Sequence, residues 1–360
     1  MVYTKISIHN RSIEPRLKAI EKKKNISEKE KNKIKEFLKL ASIGKINLRK
    51  KISETRLLKY LDLLIIPLNY FKTDLDKITI KGMEEFIESL DKDKIKRKNK
   101  QPYSHSTKTD IKRILKIYLK WRIKDITRFN KLTNWFDLSK KFKTPDYLKE
   151  SEIEKLYKSC STNKQRFLVA VLFDSGCRAE EFLNIRFEDI IEPSVNCSYY
   201  KIQFKEEYSK TNGRNIGLYW KYSTEAIKDY LLEIRGLKPN EPVCSDTYDS
   251  LRMFVNRLGK KLLKRRVYLH LFRHSSATYY ASKMNRQQLC LRYGWKFTSR
   301  MPDIYISRAG LEEVEIGEKF KETEIKELNT RLDKTEHLLK ILLDKGKETM
   351  LQVETKLKKK

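Results

Sequence analysis

Leu269-His270-Leu271-Phe272-Arg273-His274-Ser275 sets an imidazole and a guanidinium three residues apart. That is one helical turn, so His270 and Arg273 can point to one site. Gly294-Trp295 and then Tyr305 follow this stretch, and Ser175-Gly176-Cys177-Arg178 precedes it. The ordered set holds two guanidiniums, an imidazole, an indole N–H and a phenol.

These groups are what is needed to move a phosphodiester onto a tyrosine without a metal ion. Charge develops on the nonbridging oxygens of a phosphate under attack, and Arg forks hold such charge bidentately while staying ionised. Arg178 and Arg273 are the candidates, although a lone Arg on a helix more often pairs with a surface carboxylate. His270 can accept a proton from a nucleophile or donate to a phosphate oxygen, whereas His274 reads as structural. Trp295 offers a donor-only N–H or is simply a core residue. Tyr305 is one of 19 tyrosines, and only its place after Gly294-Trp295 marks it as the nucleophile. Lys210, in Tyr208-Ser209-Lys210-Thr211-Asn212-Gly213, sits beside a hairpin turn from which an ammonium can protonate a leaving oxygen; Lys205 is a less favoured substitute.

Composition agrees with a polyanionic partner. The 360 residues hold 80 Lys and Arg against 48 Asp and Glu, a formal charge of +32. Such an excess favours phosphate binding with counterion release, although a generally Lys-rich proteome would also make every surface basic. The five cysteines (Cys160, Cys177, Cys197, Cys244, Cys290) are scattered and form no C-x-x-C. They point to a reducing compartment rather than a disulfide framework or a zinc site. The apolar run Leu61–Leu68 is too short to span a bilayer, and the N-terminus lacks the apolar region of a signal peptide. We therefore expect a cytoplasmic, DNA-associated protein with no membrane segment. Motifs for ATP hydrolysis or zinc proteolysis are missing.

Residues 1–26 read as a basic extension. Residues 27–125 carry helical periodicity, starting at the cap Ser27-Glu28-Lys29-Glu30. Residues 126–147 lose that periodicity and read as a linker, 148–310 as a second domain, and 311–360 as a helical tail. The helix starting near Ser104 interleaves Lys108, Lys112, Arg113, Lys116 and Lys120 with Ile111, Ile114, Leu115, Tyr118 and Leu119. Its basic stripe is either a phosphate-facing surface or a solvated face. Tyr200, Ile202 and Phe204 alternate with lysines and Gln203 before Asn212-Gly213, which marks a β-hairpin. The expected class is thus mainly α with a small β-hairpin or sheet. In the tail, Ile325, Leu328, Leu332, Leu339 and Leu342 recur at coiled-coil spacing, for self-pairing or for docking on a partner.

The sequence resembles the tyrosine recombinases, the phage-integrase family. Gly176-Cys177-Arg178-Ala179-Glu180-Glu181-Phe182-Leu183-Asn184-Ile185 with Asp189 is similar to the first-arginine box. His270 to Thr278 is similar to the H-x-x-R-H box, and Gly294-Trp295 to Tyr305 to the tyrosine box. The Trp in place of the commoner His, and Met301-Pro302-Asp303, look most like archaeal integrase-type members, and Tyr103–Ile123 resembles the last helix of the family's core-binding domain. The resemblance implies a SAM-like α-helical core-binding domain, a catalytic domain of the DNA breaking-rejoining fold and a helical tail. It also implies roles. Arg178 and Arg273 would bind the scissile phosphate, Lys210 would protonate the 5′-hydroxyl, and His270 would assist proton transfer at Tyr305. Trp295 would stabilise a nonbridging oxygen, Glu181 would be supportive, and Tyr305 would form the 3′-phosphotyrosyl link. No cofactor is implied; the partners are duplex DNA and further copies of the chain in a tetrameric synapse. A type IB topoisomerase-like enzyme and a catalytically inactive DNA-binding relative are the alternatives. If the tail mediates protomer contacts, deleting residues from Leu311 onward should weaken synapsis in a two-duplex mobility assay while single-site binding stays intact.

Overall fold

In the computed structural model, the described residues are 5–8, 12–46, 50–139, 145–195, 197–209 and 213–308, with 328, 331, 332, 335, 336 and 339 in the tail. The chain divides into two compact units, Ser7–Thr144 and Met1–Ile6 with Pro145–Lys360.

The first unit is helical: α1 (Glu14–Glu21), α2 (Glu28–Ser42), α3 (Glu54–Phe71), α4 (Ile80–Asp91), α5 (His105–Arg122) and α6 (Ile126–Thr133). Ser27 caps α2 by accepting from the Glu30 N–H, and Ser104 caps α5 by accepting from the Thr107 N–H. Phe37, Leu61, Phe86, Leu115 and Tyr118 are buried in one core, where Phe37 meets the edge of Tyr118 at 5.0 Å. Glu30 is buried there too. Its carboxylate accepts from the Tyr118 hydroxyl at 2.7 Å, and burial pushes its pKa up against that bond.

Two segments differ from the sequence expectation. Part of the extension forms α1, whose Ile20 is buried in the core. Part of the expected linker forms α6, capped by Asp125 and burying Phe129 and Leu132. Both helices are 8 residues long, so each offers too few apolar positions for a period to stand out.

The second unit starts with α7 (Glu150–Lys158), α8 (Asn163–Ser175) and α9 (Ala179–Leu183). A sheet of β1 (Ile190–Ile191), β2 (Lys201–Phe204) and β3 (Arg214–Gly217) follows, antiparallel in that order. Ile202 pairs with Ile216 and Phe204 with Arg214, so the alternating residues of the hairpin bury one face. The strand β1 was not expected; at two residues it carries no readable alternation. Then come α10 (Ser223–Glu233), α11 (Tyr248–Leu263), α12 (Leu269–Ala281), α13 (Arg286–Tyr293) and α14 (Met301–Arg308). The apolar α8, buried from Phe167 to Ser175, packs against α7, α10 and α12.

At the end of α8, the buried Asp174 joins four segments. It accepts from the Trp220 N–H at 2.7 Å, the Ser223 hydroxyl at 2.6 Å and the Tyr280 hydroxyl, and it pairs with Arg292 at 3.0 Å. A buried carboxylate so fully satisfied fixes the relative positions of α8, α10, α12 and α13. All five cysteines are free, and Cys197 alone among them is not fully buried. No described helix is long and apolar enough to cross a membrane. The coiled-coil expectation for the tail lies outside the described residues, save that Leu328, Leu332 and Leu339 are helical and exposed.

Gly176 ends α8 at φ +57°, and a Cβ there would sit 2.4 Å from the Tyr293 ring and 2.7 Å from the Ser276 hydroxyl. Gly176→Ala should therefore cost about 1–3 kcal/mol from overpacking alone, read as a lowered midpoint in denaturant unfolding.

Candidate active site

Three turns of chain converge on Arg273. Its side chain, 3% exposed, donates to the Gly176 carbonyl and to the Tyr293 carbonyl, each at 2.7 Å. The guanidinium also lies over the rings of Tyr293 and Trp295, at 5.3 and 5.7 Å from their centroids. Among the described residues no carboxylate pairs with it. Burial, then the Arg178 charge, pushes its pKa down, but a guanidinium remains protonated at neutral pH. A buried cation held only by carbonyl dipoles and aromatic faces favours the arrival of an anion.

Arg178 sits at the N-cap of α9, two residues beyond Gly176, and keeps 25% of its side chain exposed. Glu181 accepts from its backbone N–H and from its Nη1, both at 2.8 Å. The same carboxylate pairs with Arg214 of β3 at 2.8 Å and accepts from the Ser209 hydroxyl at 2.9 Å. Burial alone would raise the Glu181 pKa, but the hydrogen bond and charge of Arg214, then Arg178, bring it down to about 2. Arg214 in turn donates from Nε to the Arg292 carbonyl at 3.0 Å. Glu181 therefore orients Arg178 and ties the base of the hairpin to it.

Trp295 follows Gly294, the left-handed cap of α13 at φ +60°. Its ring stacks on Tyr293 and, at 5.4 Å and 3° between planes, on Tyr305. Tyr305 projects from α14 and is 1% exposed. Its hydroxyl meets Nδ1 of His274 at 2.6 Å. Burial raises the phenol pKa, while Arg273 and then Arg308 oppose the rise. His270 stands exposed on the first turn of α12, its ring meeting that of His274 edge-on at 4.6 Å. Desolvation, Arg273 and Arg178 push its pKa down to about 4.

Of the residues singled out in the sequence, Arg273, Trp295 and Tyr305 thus stack into one cluster, with Arg178 and His270 at its edge. Lys210 lies outside the described residues, one position beyond the anchored Ser209. Lys205 is held by Glu188 and by Asp189, the latter at 3.0 Å. His274, read as structural, stands with Nδ1 against the Tyr305 phenol. The H-x-x-R spacing singled out His270, whereas only tertiary packing decides which ring faces α14.

Arg214, also overlooked, lies on the hairpin strand, where its guanidinium reads as one more surface charge. A cleft of about 310 Å³ beside His270 is lined by Arg252, Asn256, Arg266 and Tyr268, residues of α11 and the segment after it that carry no motif. In the other unit, the basic stripe of α5 is largely engaged. Lys108 pairs with Asp93 at 2.8 Å, and Lys112, 5% exposed, with Asp91 at 2.8 Å. Arg113 pairs with Asp110 at 2.9 Å, and Lys116 donates to the Thr133 carbonyl at 3.3 Å. Lys120 is exposed.

No family model matches the sequence. The tyrosine recombinase XerA of Saccharolobus solfataricus is 24% identical over 220 residues, spanning 59% of this chain and 68% of XerA. Transposase A of transposon Tn554 from Staphylococcus aureus is 24% identical over 149 residues, 36% of this chain and 40% of its own length. Among solved structures, a lambda integrase dimer bound to a COC′ core site covers 78% of this chain and 78% of its own, at 17% identity and a TM-score of 0.56. That likeness carries the fold. Taken with the order of the sequence boxes and the cluster they build, the chain is similar to the tyrosine recombinases in fold and in the order of its motifs.

Proposed function

We propose that this chain cuts and rejoins DNA strands through a covalent 3′-phosphotyrosyl intermediate at Tyr305, as the recombinase of a mobile element. The observation that carries this reading is the cluster in which an unpaired buried guanidinium, Arg273, lies within one aromatic stack of the Tyr305 phenol. A scissile phosphate seated on Arg273 and Arg178 gains charge-assisted hydrogen bonds that strengthen as its oxygens accumulate charge. Trp295, already in that stack, is assigned to a nonbridging oxygen through its indole N–H.

Attack by Tyr305 forms an O–P bond and expels the 5′-oxygen, for which Lys210 is the proposed proton donor. The support for Lys210 is its neighbour Ser209, hydrogen-bonded to the carboxylate that orients Arg178. The phosphotyrosine conserves the energy of the broken bond, so religation needs no nucleotide. The basic cleft next to His270 extends the phosphate-binding surface, whereas the paired lysines of α5 serve that helical unit chiefly through internal ion pairs. Exchange between two duplexes calls for several copies of the chain, and four is the expected number. Tyr305 is shut from solvent, so α14 must shift before a phosphate reaches it.

Incubation with duplexes recovered from a randomised pool by the protein itself, then nicked, should give an SDS-resistant protein–DNA adduct in EDTA. Tyr305→Phe should bind the same duplexes and give none. An adduct that survives the substitution would move the nucleophile elsewhere, and binding without any adduct would favour the inactive DNA-binding relative. Glu181→Gln tests the support of Arg178. Because the folded-state pKa of Glu181 is depressed to about 2 from 4.5, its stabilisation is full above about pH 4.5 and fades as pH falls toward 2. At about 1.4 kcal/mol per pKa unit this amounts to about 3 kcal/mol. The variant should unfold more readily at neutral pH, and its stability should fall less steeply on acidification.

A further inference from the structure

We propose that Arg214 is a positioning residue for strand cleavage: by neutralising Glu181 it leaves the charge of Arg178 free for the scissile phosphate. The assignment rests on the recombinase reading above. Glu181 sits between the two guanidiniums and is 1% exposed, and it binds them unequally. Arg214 meets it as a fork, Nη1 to Oε1 at 3.1 Å and Nη2 to Oε2 at 2.8 Å. In that geometry guanidinium and carboxylate match charge for charge. Arg178 gives Glu181 one side-chain donor, Nη1, at 2.8 Å. It keeps 25% of its side chain exposed, against 7% for Arg214. The buried cation is thus committed to the carboxylate, and the accessible one is only steadied by it.

The sheet holds Arg214 in that role. Its residue pairs with Phe204 across the strands, and the guanidinium lies 4.8 Å from the centroid of that ring. Nε donates to the Arg292 carbonyl at 3.0 Å, and Nη1 also donates to the Ser209 hydroxyl at 3.2 Å. Each nitrogen of the fork is engaged, so Arg214 acts on a phosphate only through Glu181 and Arg178.

Charge decides what this arrangement does. Arg178, Arg214 and Arg273 stand against the single Glu181 carboxylate, so among these four groups two positive charges remain for a phosphate. His270, its pKa pushed down to about 4 by burial and by the two arginines nearest it, adds none at neutral pH. Without Arg214, Arg178 would be the only cation bonded to Glu181 among the described residues. A carboxylate so desolvated stays ionised only with a full partner, and it would draw the Arg178 charge to itself. One positive charge would then face a phosphate whose oxygens gain negative charge during attack.

The experiment uses the full chain and the nicked duplexes selected from the randomised pool, at saturating duplex. Its readout is the initial rate of SDS-resistant adduct formation. Arg214→Met should be slower by about 100-fold, whereas Arg214→Lys keeps the cation and should stay within about tenfold of the wild type. The double variant Glu181→Gln with Arg214→Met removes the carboxylate as well, and should regain about tenfold over Arg214→Met alone. A methylphosphonate in place of the scissile phosphate carries no charge, and should shrink the gap between wild type and Arg214→Met to about threefold. Arg214→Gln keeps a donor toward Glu181 and carries the same tests if the methionine variant fails to fold.

A double variant as slow as Arg214→Met, or a gap that persists on the methylphosphonate, would overturn the proposal and leave Arg214 as a support of the fold. Recovery of Arg214→Met on a 5′-bridging phosphorothiolate, whose sulfur leaves without a proton, would overturn it too and assign Arg214 to the hairpin before Lys210. No adduct from the wild type would overturn the recombinase reading itself, a result distinct from these.

Discussion

One guanidinium holds the catalytic half of this protein together. Arg273 donates to the Gly176 carbonyl, at the end of α8, and to the Tyr293 carbonyl, at the end of α13. These carbonyls lack intrahelical partners, as the last ones of any helix do, and the buried cation satisfies them. The residue after each carbonyl's turn then bears on the site: Arg178 follows Gly176 by two positions, and Trp295 follows Tyr293 by two. Two left-handed glycines, Gly176 and Gly294, bend the chain so that this can happen. A single side chain thus sets the spacing of three sequence boxes that lie far apart in the chain, and among the described residues no carboxylate pairs with it.

A second layer supports the first. The Asp174–Arg292 pair lies beneath the Gly176 turn, and Arg292 also donates to the Asp174 carbonyl at 2.5 Å and to the Gly217 carbonyl at 2.9 Å. The carbonyl of Arg292 receives Arg214, which holds Glu181, which holds Arg178. Buried ion pairs of this kind seldom add net stability over an apolar packing of equal volume. Here they give position instead, because each member has a geometrically fixed second partner. The hairpin that precedes Lys210 belongs to this layer through Ser209 and Arg214.

Much of this was legible in the sequence for a physical reason. Boxes such as Gly176 to Ile185 and His270 to Thr278 encode contacts that are local in the chain or constrained by a glycine. Their residue types therefore betray the chemistry even before the fold is known. Periodicity likewise placed α2, α3, α4 and α5, whose apolar stripes run over three or more turns. What stayed hidden depends on tertiary choice. α1 and α6 are too short to show a period. The basic residues of α5 read as a phosphate-facing or a solvated stripe because sequence lists charges without their partners; Asp93, Asp91 and Asp110 take Lys108, Lys112 and Arg113. In a chain with 48 acidic residues, a basic stripe is weak evidence until the carboxylates have been located.

His274 follows the same logic. Sequence separates the two imidazoles of α12 only by their spacing from Arg273, and their surroundings differ through what packs against the helix. α14 covers the His274 turn and leaves the His270 turn open. The one is half-buried against a phenol and the other lies at the surface beside Arg266 and Tyr268 of the cleft, and desolvation lowers the pKa of both. Burial raises the pKa of Tyr305 and lowers that of His274, so the hydrogen bond between them keeps its proton on the phenol.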